Sequence, residues 1–320
     1  MDGSRPLFIG LSAVIVAADD QRPSVLATRR PGDLPALPFG PFDPVSHLTL
    51  DRGLKAWVRE QTGFELGYVE QLYTFGDKGR ETPDATLADA PCDAHIISVG
   101  YLGLTPEQAE LDTAFDARWL GWYRFFPWED HRKGVPPIIH ETIGPLLTEW
   151  AGSSRSRLDR VRLAFNLDGQ GWVEERVLER YELLYEAGLV TEAARDGNGA
   201  PERLSGQPAL GEEMASDHRR ILATAMSRLR GKVKYRPVVF ELMPAQFTLS
   251  ALQQTVESIL GLTLHKQNFR RALDKTELVE GTGMMETSTG GRPAEYYRFC
   301  RELARRRAVS GVSTPNLRRE

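Results

Sequence analysis

The sequence predicts an α/β amino-terminal domain, a largely helical insertion, and an α+β carboxy-terminal domain that contains a helix-turn-helix. Two observations predict this fold class. Residues 7–126 alternate runs rich in Val, Ile and Leu with a helical segment, which is typical of an α/β layer. Residues 249–299 contain two short amphipathic helices around a tight turn, followed by two short strands that flank a Gly-rich loop.

The chain of 320 residues is long enough for more than one domain. We expect an amino-terminal domain over residues 1–152 and a helical insertion with a linker over 153–216. A linker helix and the helix-turn-helix domain should occupy residues 217–310, with a flexible tail over 311–320.

The elements of the first two segments follow from apolar periodicity and from Gly and Pro positions. Predicted strands are two within residues 7–30, joined by a turn at 19–23, then Tyr68–Phe75, His95–Leu104 and Ala117–Phe126. Predicted helices are Thr49–Gln61, Ile138–Trp150, Leu158–Phe165 and Trp172–Ala187. Residues 196–213 are rich in Gly, Pro, Glu and Ser and should form a loop or linker.

The linker helix is predicted over Asp217–Arg230, and a strand over Pro237–Leu242 should follow it. The apolar spacing turns four side chains of this helix inward: Ile221, Leu222, Ala225 and Leu229. Four arginines are then expected on its outer face: Arg219, Arg220, Arg228 and Arg230. Because this helix lies between the two domains, we expect it to transmit an effector's influence from the first domain to the recognition helices.

The formal net charge of −4 conceals an asymmetry along the chain. Residues 217–310 contain 17 Lys and Arg against 9 Asp and Glu, whereas residues 1–216 carry a net −13. The carboxy-terminal part is therefore expected to meet a polyanion, and nucleic acid fits better than a membrane, since no basic helix has an aromatic insertion face. Cys92 and Cys300 lack metal-ligand spacing, and no apolar run could span a membrane, so we expect a cytoplasmic protein with free thiols.

The helix-turn-helix is predicted from the apolar spacing of Leu249–Leu260, which Gly261 should end, and from a second helix that begins after Thr263. Phe269 and Leu273 should anchor the second helix. Its outer face then presents amide, guanidinium and ammonium groups, which suit base edges and phosphates. The expected DNA-binding residues are Lys266, Gln267, Asn268, Arg270, Arg271 and Lys275.

A strand over 277–280, a loop over 282–291 and a strand over 295–299 resemble the wing of a winged helix. Thr289 and Arg292 in the loop complete the expected DNA-binding set. The alternative is a winged helix that makes only protein contacts and has a solvated basic face.

The amino-terminal segment is similar to the Nudix fold, whose signature has the general form G-x5-E-x7-R-E-U-x-E-E-x-G-U. Gly40 in LPFG and Gly63 in REQTGF look like its first and last glycines, with two extra residues between them. The segment YTFGDKGR…HIISVGYLGL is similar to the Nudix branch that acts on ADP-ribose. With HKQNFRRAL and GRPAEYYRF, the chain resembles the Nudix-related regulators of bacterial NAD metabolism, the NrtR-like group, and especially its NadQ-type branch.

The resemblance implies that the carboxylates of a Nudix hydrolase, which would hold magnesium against a pyrophosphate, are largely missing. Aligned back from Gly63, the two ligand positions are Trp57 and Gln61, and Glu60 remains alone. The upstream glutamate position holds Ser46. We therefore expect no catalytic residue, no metal site and no catalytic cofactor, and a nucleotide-sized cleft that acts as a sensor.

Candidate residues for that cleft carry groups suited to phosphates or to ring stacking. Arg29, Arg30, Lys78 and Arg80 would meet phosphates, and Trp57 and Phe75 would stack on a base. The alternative for the aromatic residues is core packing, and for the arginines a solvated strand end.

The predicted function is a homodimeric DNA-binding regulator, a repressor of NAD biosynthesis or salvage genes. It would bind a palindromic operator on double-stranded DNA. Its effector would be an adenine nucleotide: NAD, ADP-ribose or ATP. We expect it to associate with the nucleoid when it is bound to DNA, and with no membrane. One alternative is an active Nudix pyrophosphatase on ADP-ribose or NADH with an appended nucleic-acid-binding domain. Another is a nucleotide-responsive adaptor that touches only protein.

Overall fold

A seven-stranded sheet forms the amino-terminal half of the protein, in a computed structural model that describes residues 6–18, 22–29, 34–77, 79–80, 94–106, 115–197, 208–286 and 293–306. Its strands are Leu7–Ala18 (β1), Pro23–Arg29 (β2), Pro35–Ala36 (β3), Phe39–Pro41 (β4), Tyr68–Phe75 (β5), His95–Thr105 (β6) and Ala117–Gly121 (β7). The main path runs β3-β2-β1-β6-β5, while β4 pairs with β1 and β7 pairs with β2. Only the β1–β6 pair is parallel among these described strands.

Helix α1, Leu50–Thr62, covers one face of this sheet. The Thr49 hydroxyl accepts a hydrogen bond from the Arg52 amide at its start, and Gly63 ends it at φ 67°, a conformation that suits glycine. Leu54 and Val58 pack against side chains of β1. Alternation along β1 sends Val14 and Val16 to the opposite face, so the sheet lies between two apolar layers.

That second layer is built by the helices that follow the sheet. Short 3-10 turns at Trp122–Arg124 and Pro127–Glu129 lead to a π-helical turn at Ile139–Ile143. The helices are Gly144–Ala151 (α2), Arg155–Phe165 (α3), Val177–Glu186 (α4), Thr191–Arg195 (α5) and His218–Tyr235 (α6). Helix α6 contacts β1, β5 and β6, and α4 packs beside it.

The carboxy-terminal part is a three-stranded sheet with two helices before its hairpin. Its elements are Phe247–Thr248 (β8), Leu249–Leu260 (α7), Lys266–Asp274 (α8), Val279–Glu286 (β9), Ala294–Phe299 (β10) and Arg301–Arg306 (α9). The strand order is β8-β10-β9. The fold class expected from the sequence is confirmed by this arrangement.

Several predicted bounds are wrong for physical reasons. Strand β7 ends at Gly121, where the chain enters the first 3-10 turn. The helix expected from Trp172 begins at Val177, because the Val173 and Glu174 carbonyls accept hydrogen bonds from Arg180 and Arg230. Residues 237–242 form a 3-10 helix instead of a strand, with Pro237 in its first turn.

One hydrophobic core extends from Val14 on the first strand to Leu278 beside the last hairpin. Helices α4, α6 and α7 all contribute buried side chains to it. In the ranges that the structure describes, none of the helices combines the length and the apolar character needed to cross a bilayer.

Candidate nucleic-acid interface and sensor domain

Helix α8 has one buried stripe and one basic face. Phe269 and Leu273 are 0% and 1% exposed, as the apolar spacing predicted. The opposite face exposes Lys266, Gln267, Arg270, Arg271 and Lys275, while Asn268 is half-buried at the boundary. Within the described ranges, none of the four cations of this face forms an ion pair. Their hydrogen-bonding capacity is therefore available to an external partner.

The turn before α8 is held by side chains of α7. The Glu257 carboxylate accepts from the Leu264 amide at 2.7 Å, and the Gln253 amide donates to the Leu264 carbonyl at 3.1 Å. The expected start after Thr263 is therefore wrong. Helix α8 begins at Lys266, with His265 at the capping position and no side-chain cap bond.

The end of α7 contacts residues from far outside the helix-turn-helix. The Tyr123 hydroxyl donates to the Ser258 carbonyl at 2.7 Å, and Arg230 Nε donates to the Ile259 carbonyl at 2.9 Å. The His131 amide donates to the Gly261 carbonyl, also at 2.7 Å.

Glu129 binds Arg230 and so belongs to the same group of residues at the end of α7. Its carboxylate is fully buried and receives hydrogen bonds from Arg180 Nε at 2.5 Å and from Arg230 Nη1 at 2.5 Å. Burial acts to raise the pKa of Glu129, but the two guanidinium groups outweigh it and hold that pKa below its usual value. We call Tyr123, Glu129, His131 and Arg230 the turn-capping cluster.

The orientation of the linker helix differs from the one that the sequence predicted. Arg219 and Arg230 were expected on its outer face, yet both are fully buried. Arg219 donates to the Phe125 carbonyl and pairs with Glu192 at 3.1 Å. Arg220 is half-buried in ion pairs, and only Arg228 is exposed as predicted. The spacing of 11 residues between Arg219 and Arg230 is three helical turns, and it places both on the apolar face.

The wing lies only partly within the described residues. Thr289 and Arg292, two expected DNA-binding residues, fall outside them. The described strands of the wing carry Glu280, Glu286 and Glu295, and the Glu280 carboxylate pairs with Arg298. The basic face of α8 is therefore the main cationic surface of the described winged-helix residues.

Two side chains of α1 are hydrogen-bonded to the short strand β4. Trp57 Nε1 donates to the Pro41 carbonyl at 2.7 Å, and a Cβ at Gly40 would clash with the indole ring. The Gln61 amide accepts from the Phe39 amide at 3.0 Å and donates to the Phe39 carbonyl at 2.5 Å. Both polar groups are used inside the fold.

Comparison with known proteins agrees with these two halves. Residues 239–299 match the family model described as the NrtR DNA-binding winged helix domain. The crystal structure of Shewanella oneidensis NrtR complexed with a 27mer DNA is 20% identical, with a TM-score of 0.57 over 95% of this chain and 98% of that chain. A MutT/nudix family protein from Enterococcus faecalis is 15% identical, with a TM-score of 0.51 over 93% of this chain and 88% of that chain.

The carboxy-terminal part of the chain is similar to the NrtR winged helix, and the chain as a whole has the fold of these Nudix-containing structures. A curated relative, the ADPR responsive transcriptional repressor NtrR of Acinetobacter baylyi, is 41% identical over 93 residues. That match spans 29% of this chain and 37% of the relative, little more than a third of its length.

In the Nudix fold of this chain, the residues at the expected ligand positions do not fit a magnesium ion. The Trp57 indole offers no lone pair to a metal, and both polar groups of Gln61 already bond to Phe39. Ser46 bonds to Asp43, and Glu60 is exposed on α1. Among the described residues, no group of three His, Cys, Asp or Glu side chains is placed to hold a metal ion.

Of the expected nucleotide-binding residues that the structure describes, the two aromatic ones lie on opposite faces of the sheet. Trp57 packs with the apolar layer under α1, whereas Phe75, 2% exposed, packs on the opposite face of the sheet. Arg80 pairs with Glu182 through two 3.0 Å hydrogen bonds and lies over the Tyr185 ring. Arg29 lies 3.5 Å from Asp116, and Arg30 and Lys78 are outside the described residues. For Phe75 the core-packing alternative is therefore the observed one.

Proposed function

We propose that this protein is an NrtR-like, DNA-binding transcriptional repressor whose affinity for its operator responds to an adenine nucleotide. The observation that carries the proposal is the surface of α8. Its four cations, which form no ion pair with any described residue, and Gln267 face solvent opposite the buried Phe269 and Leu273. Arg and Gln side chains bond to base edges in a major groove, and Lys suits phosphates. The DNA bound by the Shewanella relative supports this assignment.

The effector in the proposal is ADP-ribose, with NAD and ATP as the competitors to be tested. The support is the description of the Acinetobacter relative as ADPR responsive. The repressed genes would be those of NAD biosynthesis or salvage, and the protein would act in the cytoplasm. The domain limits at 152/153 and 216/217 belong to the same proposal.

A homodimer that reads a palindromic operator also belongs to the proposal. One recognition helix reads too few base pairs for specificity, and a two-fold protein presents the same helix twice. We further infer that the Nudix domain is not a magnesium-dependent hydrolase, because Trp57 and Gln61 bond to β4 at the ligand positions.

The test is selection of bound duplexes from a random pool, repeated with ADP-ribose, NAD and ATP. We expect an inverted repeat to be enriched and ADP-ribose to change its recovery. The double variant Arg270→Ala/Arg271→Ala is the negative control for this selection. Equal enrichment by this double variant and by the wild type would show that α8 is not the DNA-binding surface.

A further inference from the structure

The carbonyl groups at the end of α7 are satisfied by the rest of the protein. The last carbonyls of any α-helix lack partners within the helix. Here the Glu257 carbonyl receives the Gly261 amide, as in an ordinary helix end. The next acceptors, at Ser258, Ile259 and Gly261, bond instead to the Tyr123 hydroxyl, Arg230 and the His131 amide.

The turn that follows α7, at Gly261, is packed tightly against the turn-capping cluster. Gly261 has φ 68°, and a Cβ there would clash with the Glu129 carbonyl oxygen and approach the Tyr123 hydroxyl to 2.9 Å. The Arg230 guanidinium also places a positive charge at the helix end, where the helix dipole is negative. Any rotation of α7 and α8 as a unit would break these bonds together.

The same residues are continuous with the Nudix sheet. Strand β7 ends at Gly121, and the next ten residues contain Tyr123, Glu129 and His131. This segment lies along α6, because Arg219 binds the Phe125 carbonyl at one end and Arg230 binds Glu129 at the other. A shift of β7 or α6 therefore reaches the helix-turn-helix through buried, hydrogen-bonded groups and not through a flexible linker.

We propose that the turn-capping cluster is the joint that orients the recognition helix and carries the effector's influence from the Nudix domain to α8. Its members are positioning residues, which act on DNA through the end of α7. The effect of the nucleotide on DNA binding rests on the proposed function. The contact between the turn-capping cluster and α7 can be tested without DNA.

The first variant is Tyr123→Phe, which deletes one hydroxyl and keeps the ring. Its matched control is Tyr68→Phe. The Tyr68 hydroxyl donates to Glu70 at 2.7 Å and accepts from Lys232 at 3.2 Å, and no hydrogen bond to α7 is among its described contacts. The second variant is Gly261→Ala, matched with Gly63→Ala, because both glycines end a helix at nearly the same φ, 68° and 67°. Both variants share the backbone strain, but only Gly261 touches the turn-capping cluster. A Cβ at Gly63 would instead approach the Phe115 ring, at 2.9 Å.

The readout is the ratio of DNA dissociation constants without and with saturating ADP-ribose, measured on the duplex that the wild type selects. We expect Tyr123→Phe to bring this ratio at least about threefold closer to one, the equivalent of the lost hydrogen bond to Ser258. Gly261→Ala should bring it close to one. The two controls should keep the wild-type ratio. Wild-type ratios in both Tyr123→Phe and Gly261→Ala would overturn the joint.

Hydrogen–deuterium exchange separates this failure from failure of the proposed function. In Tyr123→Phe without DNA or nucleotide, amides of residues 258–275 should exchange faster than in Tyr68→Phe. Equal exchange in the two variants would overturn the joint, whatever the wild type binds. If Tyr123→Phe exchanges faster but DNA binding by the wild type does not respond to ADP-ribose, the joint is retained and ADP-ribose is removed from the proposed function.

Discussion

Helices α6 and α8 are both rich in arginine, and the structure uses the two sets of arginines in opposite ways. Arg219 and Arg230 of α6 are buried against carboxylates and carbonyl groups of distant segments. Arg270 and Arg271 of α8 are exposed on a helix whose apolar stripe is fully used. The difference shows that the arginines of a helix are available to an external partner only where the described fold supplies no internal acceptors for them.

The largest effect should come from removing the buried carboxylate between Arg180 and Arg230. Glu129→Ala leaves two buried guanidinium groups without their counter-ion, which should lower the free energy of unfolding by about 3–5 kcal/mol. Urea denaturation measures it. Glu186→Ala removes the partially exposed partner of Arg160 and should cost less than about 1 kcal/mol. Similar costs for the two variants would contradict the contrast between buried and exposed pairs.

Acidification tests the same buried region through His131. Burial lowers the pKa of His131 to about 4. Between about pH 6.5 and 4 the unfolded chain therefore binds a proton that the folded protein excludes, and stability falls as pH falls through this window. The His131 contribution to the loss is up to about 3 kcal/mol.

The control for this prediction is His131→Gln, which keeps the backbone bond to Gly261 and removes the titrating ring. Urea unfolding of both proteins at pH 6.5 and pH 4 gives the comparison. The stability advantage of the wild type over His131→Gln should shrink as the pH is lowered. An advantage that stays constant would show that the ring does not titrate in this range.

The exposed arginines should affect DNA and leave stability nearly unchanged. A base-reading arginine replaced by alanine should weaken operator binding by about 1–3 kcal/mol and relax preference at one position. Fluorescence anisotropy with single-base operator variants measures it for Arg270→Ala and Arg271→Ala. Arg228→Ala, an exposed arginine of α6 that lies near Glu70, is the matched control. Equal losses at Arg228 and at both α8 arginines would point to non-specific electrostatics.

Helix α1 contains the same contrast between internal and exposed polar groups. Gln61→Ala loses two hydrogen bonds to β4 and should cost about 1–2 kcal/mol of stability. Glu60→Ala, one residue earlier and exposed, should change stability by less than about 0.5 kcal/mol. Thermal unfolding compares them. A larger cost at Glu60 would indicate that the surviving carboxylate has a structural partner.

Local sequence patterns were sufficient for the extent of α7 and for the exposed face of α8, but not for the strand expected at 237–242. The spacing of Leu249–Leu260 predicted α7 to the residue, and Phe269 with Leu273 predicted which face of α8 is exposed. For α6 they were insufficient, because Glu129 lies 101 residues before Arg230 and no local pattern links the two. The predicted nucleotide cleft grouped residues by chemistry alone, and the sheet separates Trp57 from Phe75.

The central claim is that α8 binds DNA under the control of a nucleotide that the Nudix domain binds without hydrolysing it. One anisotropy trace tests it, in which ADP-ribose is added to the protein on its selected, labelled duplex at millimolar magnesium. We predict a shift that corresponds to a 5–150-fold change in dissociation constant and that persists for hours. A shift that decays in magnesium but not in EDTA, or no shift at all, would contradict the account.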